Sequence, residues 1–82
     1  MLRAEELARI RKVLAVKAID DPEYAIQVGA VAEAEKAAKE GDERKVLSYL
    51  AKVGRSVLSV AKAIGTDVAE KFIERAVLGP GS

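Results

Sequence analysis

The chain has 82 residues, no cysteine and no histidine, and its 14 basic and 13 acidic side chains leave a net charge of +1. That length fits one small domain, the composition excludes disulfides and thiolate metal sites, and the charge gives no overall pull toward nucleic acid or an anionic membrane. Half of the residues are hydrophobic, but many are alanine and the aromatic residues are one Phe and two Tyr, so one core of this size supplies about 3–5 kcal/mol of net stability unless burial is shared with a partner.

Met1 and Leu2 are followed by Arg3, Glu5 and Glu6, which breaks any apolar signal segment. No run of about 18 apolar residues exists, so no membrane-spanning helix is expected. The expected location is cytoplasmic, where a chain without cysteine is at home.

The spacing predicts a first helix over about residues 3–19. Leu7, Ile10 and Leu14 form one stripe, with Val13 beside it and Val16 and Ile19 further round. Glu5 and Glu6 suit the positive end of the helix dipole, and Glu5 and Arg9 have i,i+4 spacing. Asp20-Asp21-Pro22-Glu23 ends this helix, because the residue before proline avoids helical geometry. Asp21 is the expected N-cap of a second helix over 22–40, with Pro22 at its first position.

The second helix carries a modest stripe at Tyr24, Val28 and Val31, and is otherwise rich in alanine. Gly29 in its interior costs roughly 1 kcal/mol relative to alanine, which a close helix approach would offset. Gly41 is the expected C-terminal cap and Asp42 the next N-cap. A connection this short makes neighbouring helices antiparallel. Charge agrees: residues 1–19 and 42–64 each carry five bases and two acids, and residues 21–41 carry five acids and two bases.

A third helix is expected over 42–64. Its apolar positions Val46, Leu47, Leu50, Val53, Val57, Leu58, Val60 and Ile64 fall mostly three and four apart. Beyond Ile64 the residues needing burial are Val68, Ala69, Phe72, Ile73 and Ala76, a face turned by a quarter to a third of a circle. A break at Gly65 is therefore expected, with Thr66 or Asp67 capping a fourth helix over 67–78 and Glu70 placed for a capping box. The fold class is all-α, a small bundle of three to four antiparallel helices. Residues 1–78 make a single helical domain, and 79–82 read as a flexible tail of the kind expression vectors leave.

Catalysis is not expected. The commonest base and nucleophile are absent, and Glu33, Glu35 and Glu40 point in different directions on one helix. No metal, cofactor or phosphate-loop pattern is present. The basic face formed by Arg44, Lys45, Lys52, Arg55 and Lys62, with Ser48 and Ser59 between, is the candidate anion or nucleic-acid surface. It lacks interleaved aromatic residues, and a solvated face near an acidic helix is the plainer reading.

Val60-Ala61-Lys62-Ala63-Ile64-Gly65-Thr66-Asp67-Val68 resembles the turn of a helix-turn-helix. Its second helix would present Asp67, Glu70, Lys71, Glu74 and Arg75, a poor surface for phosphates. More broadly, Ala34-Glu35-Lys36-Ala37-Ala38-Lys39-Glu40-Gly41-Asp42, Val46-Leu47, Ala51-Lys52-Val53-Gly54 and Val60-Ala61-Lys62-Ala63-Ile64-Gly65 are similar to helical C-terminal modules of uncharacterised bacterial proteins, some of them linked to defence systems. The likeness spans about residues 30–79. It implies an accessory or association domain at the end of a larger bacterial protein, and no catalytic residue. A de novo designed bundle without biological function is the other origin to weigh, although interior glycines and uneven charge are not features of idealised designs.

The leading expectation is a non-enzymatic protein association module, self-associating or docking to a larger partner. Its candidate interface is Val57, Val60, Ile64, Val68, Phe72 and Ile73, with the Ala/Gly surface of the second helix as a further contact. Nucleic-acid binding through the basic face or the Gly65 turn is the alternative. Reversible membrane-surface association of the last amphipathic helix is a third.

Overall fold

The computed structural model describes residues 4–78, and the described residues form five helices: α1 (Ala4–Ala18), α2 (Glu23–Lys39), α3 (Glu43–Leu50), α4 (Gly54–Ile64) and α5 (Asp67–Leu78). The expected start of the first helix at residue 3 and the expected tail at 79–82 lie outside the described residues. All-α is the observed class, but three to four helices becomes five, because the helix expected over 42–64 is two.

The α1–α2 bend follows the capping chemistry of its sequence. Pro22 already has helical dihedrals (φ −58°, ψ −23°). The Glu23 N–H donates to Asp21 Oδ1 at 3.0 Å, which meets one of the free amides at a helix start.

The α2–α3 and α4–α5 corners share one device. Gly41 and Gly65 both have φ +75°, the left-handed region that favours glycine. At the first corner Asp42 N–H donates to Ala37 O at 3.0 Å and Gly41 N–H to Ala38 O at 3.1 Å. At the second, Thr66 N–H donates to Ala61 O at 3.1 Å and Gly65 N–H to Lys62 O at 3.3 Å. These are the paired bonds of a Schellman ending. Asp42 then starts α3 by accepting from the Lys45 N–H at 3.1 Å.

The break between α3 and α4 is subtler. Ala51 N–H still bonds four residues back, to Leu47 O at 2.9 Å. Lys52 and Val53 bond only three back, to Tyr49 O and Leu50 O, each at 3.1 Å. The ladder tightens to a 3₁₀ turn just before Gly54, and a sequence run read as one helix becomes two.

A single core joins the helices. Leu7, Ile10 and Leu14 enter it from α1; Val31, Ala34 and Ala37 from α2; Val46 and Leu50 from α3; Val53 from the turn; Val57, Val60 and Ala61 from α4; Ala69 and Ile73 from α5. Each helix contributes at steps of mainly three and four, the spacing of one face. The acidic α2 packs between the basic α1 and α3, while α4 packs on α1 and α5.

The α4–α5 corner is held from outside. Thr66 is buried, and its hydroxyl turns back to donate to Ala61 O at 3.0 Å rather than forward into α5. The expected Asp67–Glu70 capping box is not what closes the α5 start. Instead Ala69 N–H donates to Glu6 Oε1 of α1 at 3.4 Å. One turn further along α1, an Arg9 guanidinium nitrogen donates to Ile64 O at 3.4 Å. Arg9 is thus directed to the end of α4 rather than to Glu5.

Candidate association surface

The six residues expected to form the interface separate into three groups. Val57, Val60 and Ile73 are buried within the chain itself, so they form core rather than a docking face. Ile64 and Phe72 are half-buried and pack against that core. Val68 is exposed, at 40%. The amphipathic stripe was real, but intramolecular packing of α4 on α1 and of α5 on α3 and α4 uses most of it.

Exposed branched side chains lie instead at the bend end of the α1–α2 hairpin. Val16 is 67% exposed, Ile19 80% and Ile26 78%. The break at 51–53 accounts for Ile26. A 17-residue α2 is about 25 Å long, whereas an eight-residue α3 is about 12 Å. α3 runs back along α2 for less than half its length, and the chain then turns away to α1. Ala37, Ala30 and Ile26 share one side of α2 at steps of seven and four. Along that side Ala37 is buried, Ala30 is half-buried and Ile26 is exposed.

Gly29 belongs to this uncovered stretch. A Cβ placed on it would meet nothing within 4 Å. The close helix approach expected there does not occur inside the fold, so Gly29 carries its helix penalty without an intramolecular return.

A groove of about 400 Å³ runs between α1 and α4. Val13, Lys17, Tyr24, Val60, Ala63 and Ile64 line it together with Ser56 and Ser59. Lys17 extends over the Tyr24 ring, its Nζ 5.8 Å from the centroid. Two of the expected interface residues, Val60 and Ile64, thus reach a surface depression from the inside of the fold.

The inner side of the hairpin holds a polar contact that helix periodicity did not bring forward. Glu35 is buried, at 9% exposure. It continues the α2 stripe of Tyr24, Val28 and Val31 by one more step of four, and that register was the available signal. Arg11 Nε donates to Glu35 Oε1 at 2.8 Å, and Lys39 Nζ lies 3.5 Å from Oε2. The Arg11 hydrogen bond holds the Glu35 carboxyl below its ordinary value against the opposing effect of burial, with smaller contributions from the Arg11 and Lys39 charges.

The basic set is exposed but not gathered. The turn at 51–53 separates Arg44 and Lys45 on α3 from Arg55 and Lys62 on α4. Lys45 lies 3.9 Å from Asp42 and Lys62 lies 3.8 Å from Glu74 of α5. Lys52 Nζ sits 5.3 Å from the Tyr49 ring centroid. In the corner that resembles a helix-turn-helix, α5 buries Ala69 and Ile73.

Among the described residues no group of three or more acidic side chains is placed to hold a metal ion, and no helix is long and apolar enough to cross a membrane. No family model, characterised protein or solved structure matches the chain.

Proposed function

We propose that the chain is a non-enzymatic helical association module that pairs with a second copy through the bend end of its α1–α2 hairpin. The observation that carries this reading is Ile26, 78% exposed on a helix side whose cover ends with α3. Val16 and Ile19 add two more exposed branched residues at the same end. A two-fold interface uses the same surface twice, so three side chains become six.

Fully burying one such side chain is worth about 1.5–3 kcal/mol, so six that are roughly three-quarters exposed offer about 7–13 kcal/mol. Association costs an estimated 4–15 kcal/mol in lost freedom. With a mid-range gain of about 10 kcal/mol and a cost of about 4–6 kcal/mol, near the low end of that range, the surplus of about 4–6 kcal/mol corresponds to a weak dimer with a dissociation constant of about 0.05–1 mM. In a larger parent, where effective concentrations are high, such weak pairing is sufficient.

Sedimentation equilibrium from about 10 µM to 1 mM, a range that brackets the estimate, tests the reading. The native chain should show a rising average mass. Ile26→Glu should remain monomeric while its melting temperature is unchanged, since the site is exposed in the monomer. A native chain that stays monomeric throughout, or an Ile26→Glu variant that associates equally well, refutes the proposal.

A further inference from the structure

A second feature is the cleft between α3 and α5. Arg44, Leu47 and Ser48 line it from α3, and Arg75 and Ala76 from α5, around a volume of about 320 Å³. We propose that this cleft binds a phosphate-type oxyanion, held between the guanidinium groups of Arg44 and Arg75 with the Ser48 hydroxyl as a third donor.

Four observations lead there. First, two arginines 31 positions apart in the chain converge on one cleft, and among the described residues neither has a carboxylate within 4.0 Å. Second, the flanking acids are engaged elsewhere. Asp42 caps α3 and lies 3.9 Å from Lys45, and Glu74 lies 3.8 Å from Lys62. Glu43, one turn before Leu47, has no arginine nitrogen within 4.0 Å among the described residues. Third, Arg44 stands in the first turn of α3, where the helix dipole disfavours a cation and favours an anion. Fourth, Arg75 is steadied over the Phe72 ring, 5.8 Å from its centroid, and Phe72 itself packs on the core.

The chemistry of the cleft selects among anions. Planar guanidinium groups match phosphate oxygens in geometry. Two of them bring a charge of +2, which a phosphate monoester or inorganic phosphate near −2 balances and a carboxylate only halves. Leu47 and Ala76, both half-buried, add an apolar lining beside the charged groups. Ser48, one helical turn after Arg44, shares its face.

The test uses the intact chain and inorganic phosphate, followed by NMR shifts of the Arg44 and Arg75 side-chain N–H groups. Acetate and chloride at matched ionic strength are the controls. Phosphate should give saturable shifts at these two arginines and at Ser48, with acetate binding markedly weaker. Arg44→Gln and Arg75→Gln should each weaken phosphate binding roughly fivefold or more, and the double variant should abolish saturation. Arg55→Gln, which removes an exposed arginine outside the cleft, should leave binding unchanged. Because Arg44 and Arg75 are exposed, all variants should keep the native melting temperature. Shifts that match chloride, or an Arg55→Gln loss as large as the others, overturn the site. A single-stranded oligonucleotide whose binding outcompetes phosphate and depends equally on Lys52, Arg55 and Lys62 also overturns it, in favour of a diffuse nucleic-acid face.

Discussion

Removing Arg11 while leaving Glu35 in place isolates the energetics of the hairpin. In Arg11→Met the aliphatic stem is kept and the guanidinium lost, so packing along α1 is largely preserved. Glu35 then retains only Lys39, at 3.5 Å and 67% exposed. A fully buried pair broken on one side costs about 3–5 kcal/mol. The Arg11 side chain is 33% exposed, so solvent screens part of this, and about 2 kcal/mol is the expected loss. For a domain of this size that is a fall of about 8–16 °C in melting temperature. The pH dependence carries a definite sign. The folded carboxyl titrates below its ordinary 4.5, so its contribution is present above that value and is lost as pH falls through the folded value. In Arg11→Met the main depressing cause is gone and burial raises the group, so its penalty disappears once it protonates. Urea midpoints should therefore differ most at pH 7 and draw together at acid pH, below the folded value. Arg11→Met/Glu35→Met should recover to within about 1 kcal/mol of the native chain, because no charge is left buried alone. A gap under about 0.5 kcal/mol at pH 7, a gap equal at both pH values, or a double variant no better than Arg11→Met would refute this account.

Two glycines should respond to the same substitution with opposite signs. Gly29→Ala, in a helix interior with open space around it, should stabilise by about 0.5–1 kcal/mol, whereas Gly65→Ala, at φ +75°, should destabilise by about 1 kcal/mol or more in chemical denaturation. Glu6→Ala should cost about 0.5–1.5 kcal/mol and speed hydrogen exchange at the Ala69 amide selectively, since it removes that donor's partner.

Corners made by local chemistry were legible in the sequence. Asp21-Pro22, Gly41-Asp42 and Gly65 each combine a residue with a distinct backbone preference and, at the first two, a capping side chain, and all three corners form. The break at 51–53 left no such mark. Val46, Leu50, Val53 and Val57 continue the helical period through it, and Ala51 and Val53 keep right-handed helical dihedrals. Only the hydrogen bonds change, from four residues back to three. Of the six residues expected at an interface, Val57, Val60 and Ile73 are taken up by the core, while Val68 stays exposed and Ile64 and Phe72 half-buried. Glu35 is hidden for a related reason: an acid reads as solvated, although it extends the apolar stripe of Tyr24, Val28 and Val31 and is buried.

The two bonds from α1 to the α4–α5 corner link residues 55 and 63 positions apart. Every other corner is closed by partners within a few residues and can form as soon as its own segment exists. This one waits for the two ends of the fold to meet, at the entropic cost of a long loop. On a ribosome the first helix to emerge would stay without these partners until the last had followed it out. Glu6 and Arg9 therefore act as a clasp, one on an amide of α5 and the other on the last carbonyl of α4, and both close only when the first and last helices have met.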